Sequence, residues 1–181
     1  MEKKPLIQRK FKYKLLEDGF SKEDINSGVK VLLSRQITMA SQTKKFEEEF
    51  AKKLGVKYAL MVNSGSSANL LATFAAGNPL RKKRFKPGDE VLIPVLCWST
   101  SLWPLVQFGL KPVFVDVDVK SLNVNINDLI SKISNKTKAI MLINIHGNSS
   151  DIFKIKVIAK KKNIILIEDN CEALGSKLKN K

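Results

Sequence analysis

Lys138-Ala-Ile-Met-Leu-Ile143 and Asn163-Ile-Ile-Leu-Ile-Glu168 are two apolar runs separated by a helix-patterned segment over 151–162. Each run is the length of a strand, and neither alternates polar with apolar residues. That pattern belongs to strands buried on both faces. Working outward, Glu90-Val-Leu-Ile-Pro94 and Pro112-Val-Phe-Val-Asp116 repeat it, with a helix predicted over 98–108 and closed by Gly109. A further helix is predicted around 126–133. Tyr58-Ala-Leu-Met-Val62 reads as a first strand, followed by a helical run from Ala68 to Ala76. Apolar strands alternating with helices predict an α/β fold, a three-layer and mostly parallel sheet with helices on both faces.

Two helices are predicted upstream. Ser21-Lys-Glu-Asp24 resembles a capping box ahead of Ile25, Val29, Leu32 and Leu33. Phe46, Phe50 and Leu54 lie at i, i+4 and i+8 before Gly55, a natural stop. Residues 1–20 read as a basic arm. The simplest division is an N-terminal helical arm over 1–55 and a sheet domain over 56–181.

The chain has 181 residues, and its 32 Lys+Arg against 17 Asp+Glu give a formal charge of +15. A hydrophobic share of 44% excludes a disordered tail. Two Cys, at 97 and 171, are too few for a disulfide framework, which fits a reducing, cytoplasmic compartment. The N-terminus has no apolar core of a signal peptide, and no apolar run approaches the roughly 20 residues of a bilayer span. The densest basic clusters are Arg81-Lys-Lys-Arg-Phe-Lys86 and Lys160-Lys-Lys162, the rest of the charge is spread over the whole sequence, and no nucleic-acid-binding motif is present. No specific nucleic-acid partner is expected.

Ligands of parallel sheets collect at the carboxyl ends of the strands. After the first predicted strand comes Asn63-Ser-Gly-Ser-Ser67, opening a helix. Gly65 permits a tight turn, and Ser66 adds a hydroxyl beside free helix-start N–H groups. The segment is either a phosphate cradle or a serine cap. Trp98 follows the second predicted strand, as a ring that stacks on a flat ligand or as a core tryptophan. Asp169 ends the last strand, beside Glu168 and Glu172. It is placed either to hold a protonated ring nitrogen or to cap a loop. No metal site is expected, since His146 is the only His and neither Cys is at ligand spacing with it. Neither G-x-G-x-x-G nor a Walker A sequence is present. A cradle, a ring and a carboxylate at one sheet edge are the parts that hold pyridoxal phosphate.

The blocks Val62-Asn-Ser-Gly-Ser-Ser-Ala-Asn-Leu-Leu-Ala72, Lys86-Pro-Gly-Asp-Glu-Val-Leu-Ile-Pro94, Gly109-Leu-Lys-Pro-Val-Phe-Val-Asp-Val117 and Ile167-Glu-Asp-Asn-Cys-Glu-Ala-Leu-Gly175 carry a resemblance. The chain resembles the DegT/StrS family of sugar aminotransferases, fold-type-I pyridoxal-phosphate enzymes that act on nucleotide-linked keto-sugars. It looks closest to the pyridoxamine-dependent hexulose 3-dehydratase branch. The resemblance implies pyridoxal or pyridoxamine 5'-phosphate as cofactor. It places Gly65 and Ser66 in the phosphate loop, Trp98 on the ring, Asp169 on the pyridine nitrogen and Glu172 at a ring-oxygen position usually held by Gln or His. Ala40 stands where relatives commonly have Gly, and Asn144 where many have His.

The resemblance also implies a nucleotide-linked keto-sugar substrate, a role in amino- or deoxysugar synthesis for surface polysaccharide, and a homodimer in full-length relatives. The family's catalytic Lys, or the dehydratase His, lies further downstream than Lys181. Lys177, Lys179 and Lys181 follow Asp169 too closely to serve, so no catalytic residue is assigned. The chain is expected to be an N-terminal part with an incomplete sheet, inactive alone. The alternative is a non-catalytic remnant or accessory subunit of a split enzyme.

Overall fold

The computed structural model describes residues 19–178. Most of the predicted basic arm, and Lys179 and Lys181, lie outside them. The chain divides into two compact units between Met61 and Val62.

The first unit holds helices α1 (Lys22–Ser34) and α2 (Ser41–Leu54). The predicted capping box forms in full. Asp24 N–H donates to Ser21 Oγ at 3.1 Å, and Ser21 N–H donates to the Asp24 carboxylate at 2.8 Å. Those bonds hold the Asp24 carboxyl below the usual range. Phe46 and Phe50 stack at 5.4 Å along α2, and Gly55 ends that helix in the left-handed conformation at φ 66°. Ala40 caps α2 at φ −90°, an ordinary extended value, so no glycine is needed there.

The second unit is a parallel four-stranded sheet in the order β2-β1-β3-β4. The strands are β1 (Glu90–Pro94), β2 (Lys111–Val115), β3 (Thr137–Ile143) and β4 (Ile165–Asp169). Around it lie α3 (Gly65–Ala76), α4 (Ser99–Gln107), α5 (Ile126–Ser131) and α6 (Ile152–Lys162). The sheet has one strand fewer than predicted. Tyr58–Val62 carries the apolar pattern of a strand, yet among the described residues nothing pairs with its backbone as a ladder. Met61 N–H donates instead to the Glu47 side chain at 2.7 Å. A strand exists only through hydrogen bonds to a neighbour.

The period of two along each strand divides the core. Val91, Ile93, Ala139, Met141 and Ile143 face one side, with Leu105 of α4 and Ala76 of α3. Leu92, Ile140 and Leu142 face the other, with Leu129 of α5 and Ile155 and Ala159 of α6. β1 and β3 are therefore buried on both faces, which is why their sequences do not alternate. Phe85, in the loop before β1, drops into the first cluster and is 2% exposed, with its ring edge-on to Phe108.

Two measurements test this architecture. Phe85→Ala is expected to cost about 3–5 kcal/mol in urea unfolding, the usual penalty for an emptied aromatic site. The second concerns acid. Lys132 and the Asp116 N–H, both hydrogen-bonded to the Asp128 carboxylate, lower its pKa from 3.8. A lowered carboxyl stabilises the fold above its unfolded value and loses that contribution as pH falls through the folded value. The urea midpoint should thus drop below about pH 4, and Asp128→Asn should flatten part of that drop.

Candidate functional site

The strand order reverses direction between β1 and β3, because the chain leaves β1 for β2 on one side and returns to β3 on the other. Connections diverge at such a point and leave a crevice beyond the carboxyl ends of the strands. A cleft of about 430 Å³ lies there. Its walls come from the start of α3, the segment after β1, the turn after β3 and the end of β4. Gly65, Ser66, Trp98, Asp169 and Glu172, chosen along a hundred residues of chain, all line it.

Asp169 is the best-held of the five. Its Oδ2 accepts from Asn69 Nδ2 at 2.7 Å and from Ser101 Oγ at 2.8 Å, and its Oδ1 accepts from Cys171 N–H at 3.1 Å. Asn69 rides on α3 and Ser101 on α4, and both are buried. Three elements therefore converge on one carboxylate. A carboxylate fixed this way points its remaining acceptor capacity in a set direction, which suits a protonated ring nitrogen.

Ser64 caps α3 and takes the Ser67 N–H on its own Oγ at 3.2 Å. The N–H groups of Gly65 and Ser66 donate to nothing among the described residues, and both residues are exposed. The capping reading is realised, and two free donors at a helix start also suit a phosphate. The capping serine is Ser64, which leaves Ser66 free. Gly65 does not serve as a left-handed turn: it lies inside the helix, without a positive φ. A Cβ there would meet only Cys171 Sγ, at an ordinary van der Waals distance of 4.0 Å.

Trp98 is 74% exposed, so it is not a core tryptophan. It sits just before α4 with its ring at the cleft wall. A largely uncovered indole at the wall of a mainly apolar cleft suits stacking on a flat ligand.

Glu172 is engaged differently from the others. Its Oε2 accepts the His146 N–H at 2.6 Å and lies 3.3 Å from His146 Nδ1. His146 is left-handed, at φ 52°. Gly147 follows at φ 77°, where a Cβ would come within 3.2 Å of the Glu172 carbonyl oxygen. The Glu172 carboxylate thus ties down a strained turn after β3. Asn144 is buried and holds the same region: its Oδ1 accepts Ser150 N–H at 2.9 Å and its amide donates to Asn170.

Sequence reasoning missed Asn69, Ser101 and His146. The signal for Asn69 was a polar residue on the buried face of α3, one turn before Thr73. Ser101 had no comparable mark. Among the described residues no group of three His, Cys, Asp or Glu side chains is placed to hold a metal ion. No described helix is long and apolar enough to cross a membrane.

The fold and cleft define a three-layer α/β domain with a cleft at the carboxyl edge of its sheet whose lining suits an anionic, flat ligand. The family model for DegT/DnrJ/EryC1/StrS aminotransferases matches residues 19–181, and the chain belongs to that family. It is 41% identical to a GDP-4-keto-6-deoxy-D-mannose 3-dehydratase of Yersinia pseudotuberculosis, over 93% of this chain and 43% of that protein. It is 39% identical to a GDP-perosamine synthase of Escherichia coli O157:H7, over 76% of this chain and 36% of that one. A solved Escherichia coli GDP-4-keto-6-deoxy-D-mannose 3-dehydratase with bound hydrated PLP superposes with a TM-score of 0.88 at 41% identity, over 93% of this chain and 43% of that chain. The chain therefore spans less than half the length of these relatives.

The two thiols at the cleft differ in a measurable way. Burial pushes the Cys97 thiol up, whereas Cys171 is exposed. Iodoacetamide at about pH 8 should therefore label Cys171 several-fold faster than Cys97, read by peptide mass spectrometry.

Proposed function

We propose that this chain is the cofactor-binding part of a pyridoxal- or pyridoxamine-phosphate-dependent enzyme that acts on a nucleotide-linked keto-sugar. The reaction class is 3-dehydration or transamination. The observation that carries the reading is Asp169, clamped by Asn69, Ser101 and the Cys171 N–H in the same cleft as Trp98 and the free start of α3. The names of the relatives support it, since they include 3-dehydratases of GDP- and dTDP-linked sugars and perosamine synthases.

The donor set fits the cofactor piece by piece. The Gly65 and Ser66 N–H groups and the Ser66 hydroxyl would bind its phosphate, with the start of α3 adding partial positive charge. Trp98 would cover one face of the ring and exclude water from it. Asp169 would keep a proton on the ring nitrogen, and Asn69 and Ser101 would stop the carboxylate from rotating away. Bound there, pyridoxal phosphate supplies an electron sink for the sugar carbons. Glu172 belongs to the site as the group that positions His146 at the rim, a role different from the ring-oxygen contact the resemblance implies.

The choice between dehydration and transamination rests on a residue that the resemblance places downstream of Lys181, so both remain within the proposal. A homodimer belongs to it too. Ile25, Val29 and Leu32 form an exposed apolar stripe on α1, a surface that a second copy of the chain would cover.

Titration with pyridoxal phosphate tests the cofactor reading. A saturable shift in cofactor absorbance is expected, with quenching of Trp98 fluorescence that Trp98→Phe removes. Asp169→Ala should weaken binding about 10- to 100-fold, the loss of one charge-assisted hydrogen bond. Cofactor spectra unchanged by the protein would sink the claim that this part of the enzyme holds a self-sufficient cofactor site.

A further inference from the structure

A second concavity, of about 940 Å³, lies at the other end of the sheet. It is lined by the loop before β1, the start of β3 and the turn between α6 and β4. With strands of five and seven residues at about 3.3 Å each, it stands roughly 15–25 Å from the cofactor cleft. The two densest basic runs of the sequence come together here, the second through Lys162. The five cations of Arg81–Lys86, together with Lys138 and Lys162, line one groove, and no Asp or Glu lines it.

The cations make no ion pair among the described residues, and the nearby carboxylates are held by other groups: Asp89 accepts the Lys86 N–H at 2.8 Å, and Glu90 accepts from Ser134 Oγ. The ion pairs among the described residues involve Lys45, Lys132, His146 and Lys156, none of them in the groove. Four of the groove cations touch only neutral oxygens. Arg81 donates to the Lys83 carbonyl, Lys83 to Asn163 Oδ1, Arg84 to the Pro79 carbonyl and Lys138 to the Asn135 carbonyl. Lys82, Lys86 and Lys162 are exposed and have no side-chain partner among the described residues.

The loop is also built rather than loose. Phe85 is plugged into the core, its N–H donates to the Ala76 carbonyl at 3.1 Å, and the Lys83–Asn163 bond ties the loop to the α6–β4 turn. Like charges held together in a concavity focus positive potential and favour a multivalent anion.

The lining also narrows the class of anion. Phe85 is its one aromatic residue and is 2% exposed, so no ring is available for bases to stack on. Single-stranded nucleic acid relies on such rings. The volume is that of a small-molecule site, and Leu80 and Ile133 give it an apolar wall beside the charges. We propose that this groove binds a compact oligophosphate, a chain of two or more phosphates, free or carried on a nucleoside. It is separate from the cofactor cleft, and it stands or falls independently of the cofactor reading.

Calorimetric titration of the whole chain with tripolyphosphate and with ATP, at about 150 mM salt, tests the proposal. One saturable site is expected. Equal affinities identify the phosphate chain alone as the ligand, and tighter ATP binding identifies a nucleotide. The double variant Lys82→Gln/Lys86→Gln should weaken binding by about tenfold or more, while Lys160→Gln/Lys161→Gln, which removes equal charge outside the groove, should change it less than about twofold. Circular dichroism melts of both variants establish that they fold, and single Lys82→Gln and Lys86→Gln variants serve if the double does not. Absence of saturable binding, equal weakening by both pairs, or tighter binding of a single-stranded oligonucleotide than of ATP would each overturn it.

Discussion

The two central strands, β1 and β3, are covered by helices on both faces, and the rest of the molecule follows from that burial. Their inward side chains are close to fully excluded from water, so neither face of the sheet has room for a polar ligand. Chemistry is pushed to the strand ends, where backbone groups lose their ladder partners and the chain turns. The parallel direction of all four strands then makes the two ends different. The carboxyl edge gathers Asp169, Trp98 and the start of α3, and the amino edge gathers the lysines and arginines.

Asp169 shows how the core reaches into the site. The carboxylate ends a strand that pairs with β3 through Ile143. It is oriented by Asn69 from α3 and Ser101 from α4, both on the helical layer of one face. The packing that buries Leu105 and Ala76 against β1 and β3 is thus what sets those two donors at hydrogen-bond distance. Glu172 and the strained His146–Gly147 turn make a second such tie, between the ends of β3 and β4. A site assembled this way tolerates little slippage between layers, and three separate chain segments must be in place before one carboxylate is held.

Most of the fold was legible in the chain. The capping box at Ser21, the glycine stop at Gly55 and the four paired strands all came from local signals: hydrogen-bonding side chains, a residue free of steric cost, runs of branched apolar residues. Tyr58–Val62 shows the limit of that reading. Its pattern is that of a strand, but strand formation is a property of two segments, and pattern alone supplies one. Gly65 shows another limit, since a glycine beside serines reads as a turn, whereas it occupies the first turn of α3 with ordinary helical geometry.

The sequence by itself determined the class of fold, the order of its four paired strands and five of the residues that line the cleft, because periodicity, caps and strand-end positions are local and survive without knowledge of neighbours. Tertiary structure decided which groups act on which. Only packing could bring Asn69 and Ser101 onto Asp169 across 100 and 68 residues, expose Trp98, turn Glu172 toward His146, and join Arg81–Lys86 to Lys162 in one groove. Those are relations between distant segments, fixed by how helices seat on a twisted sheet, and no local rule encodes them.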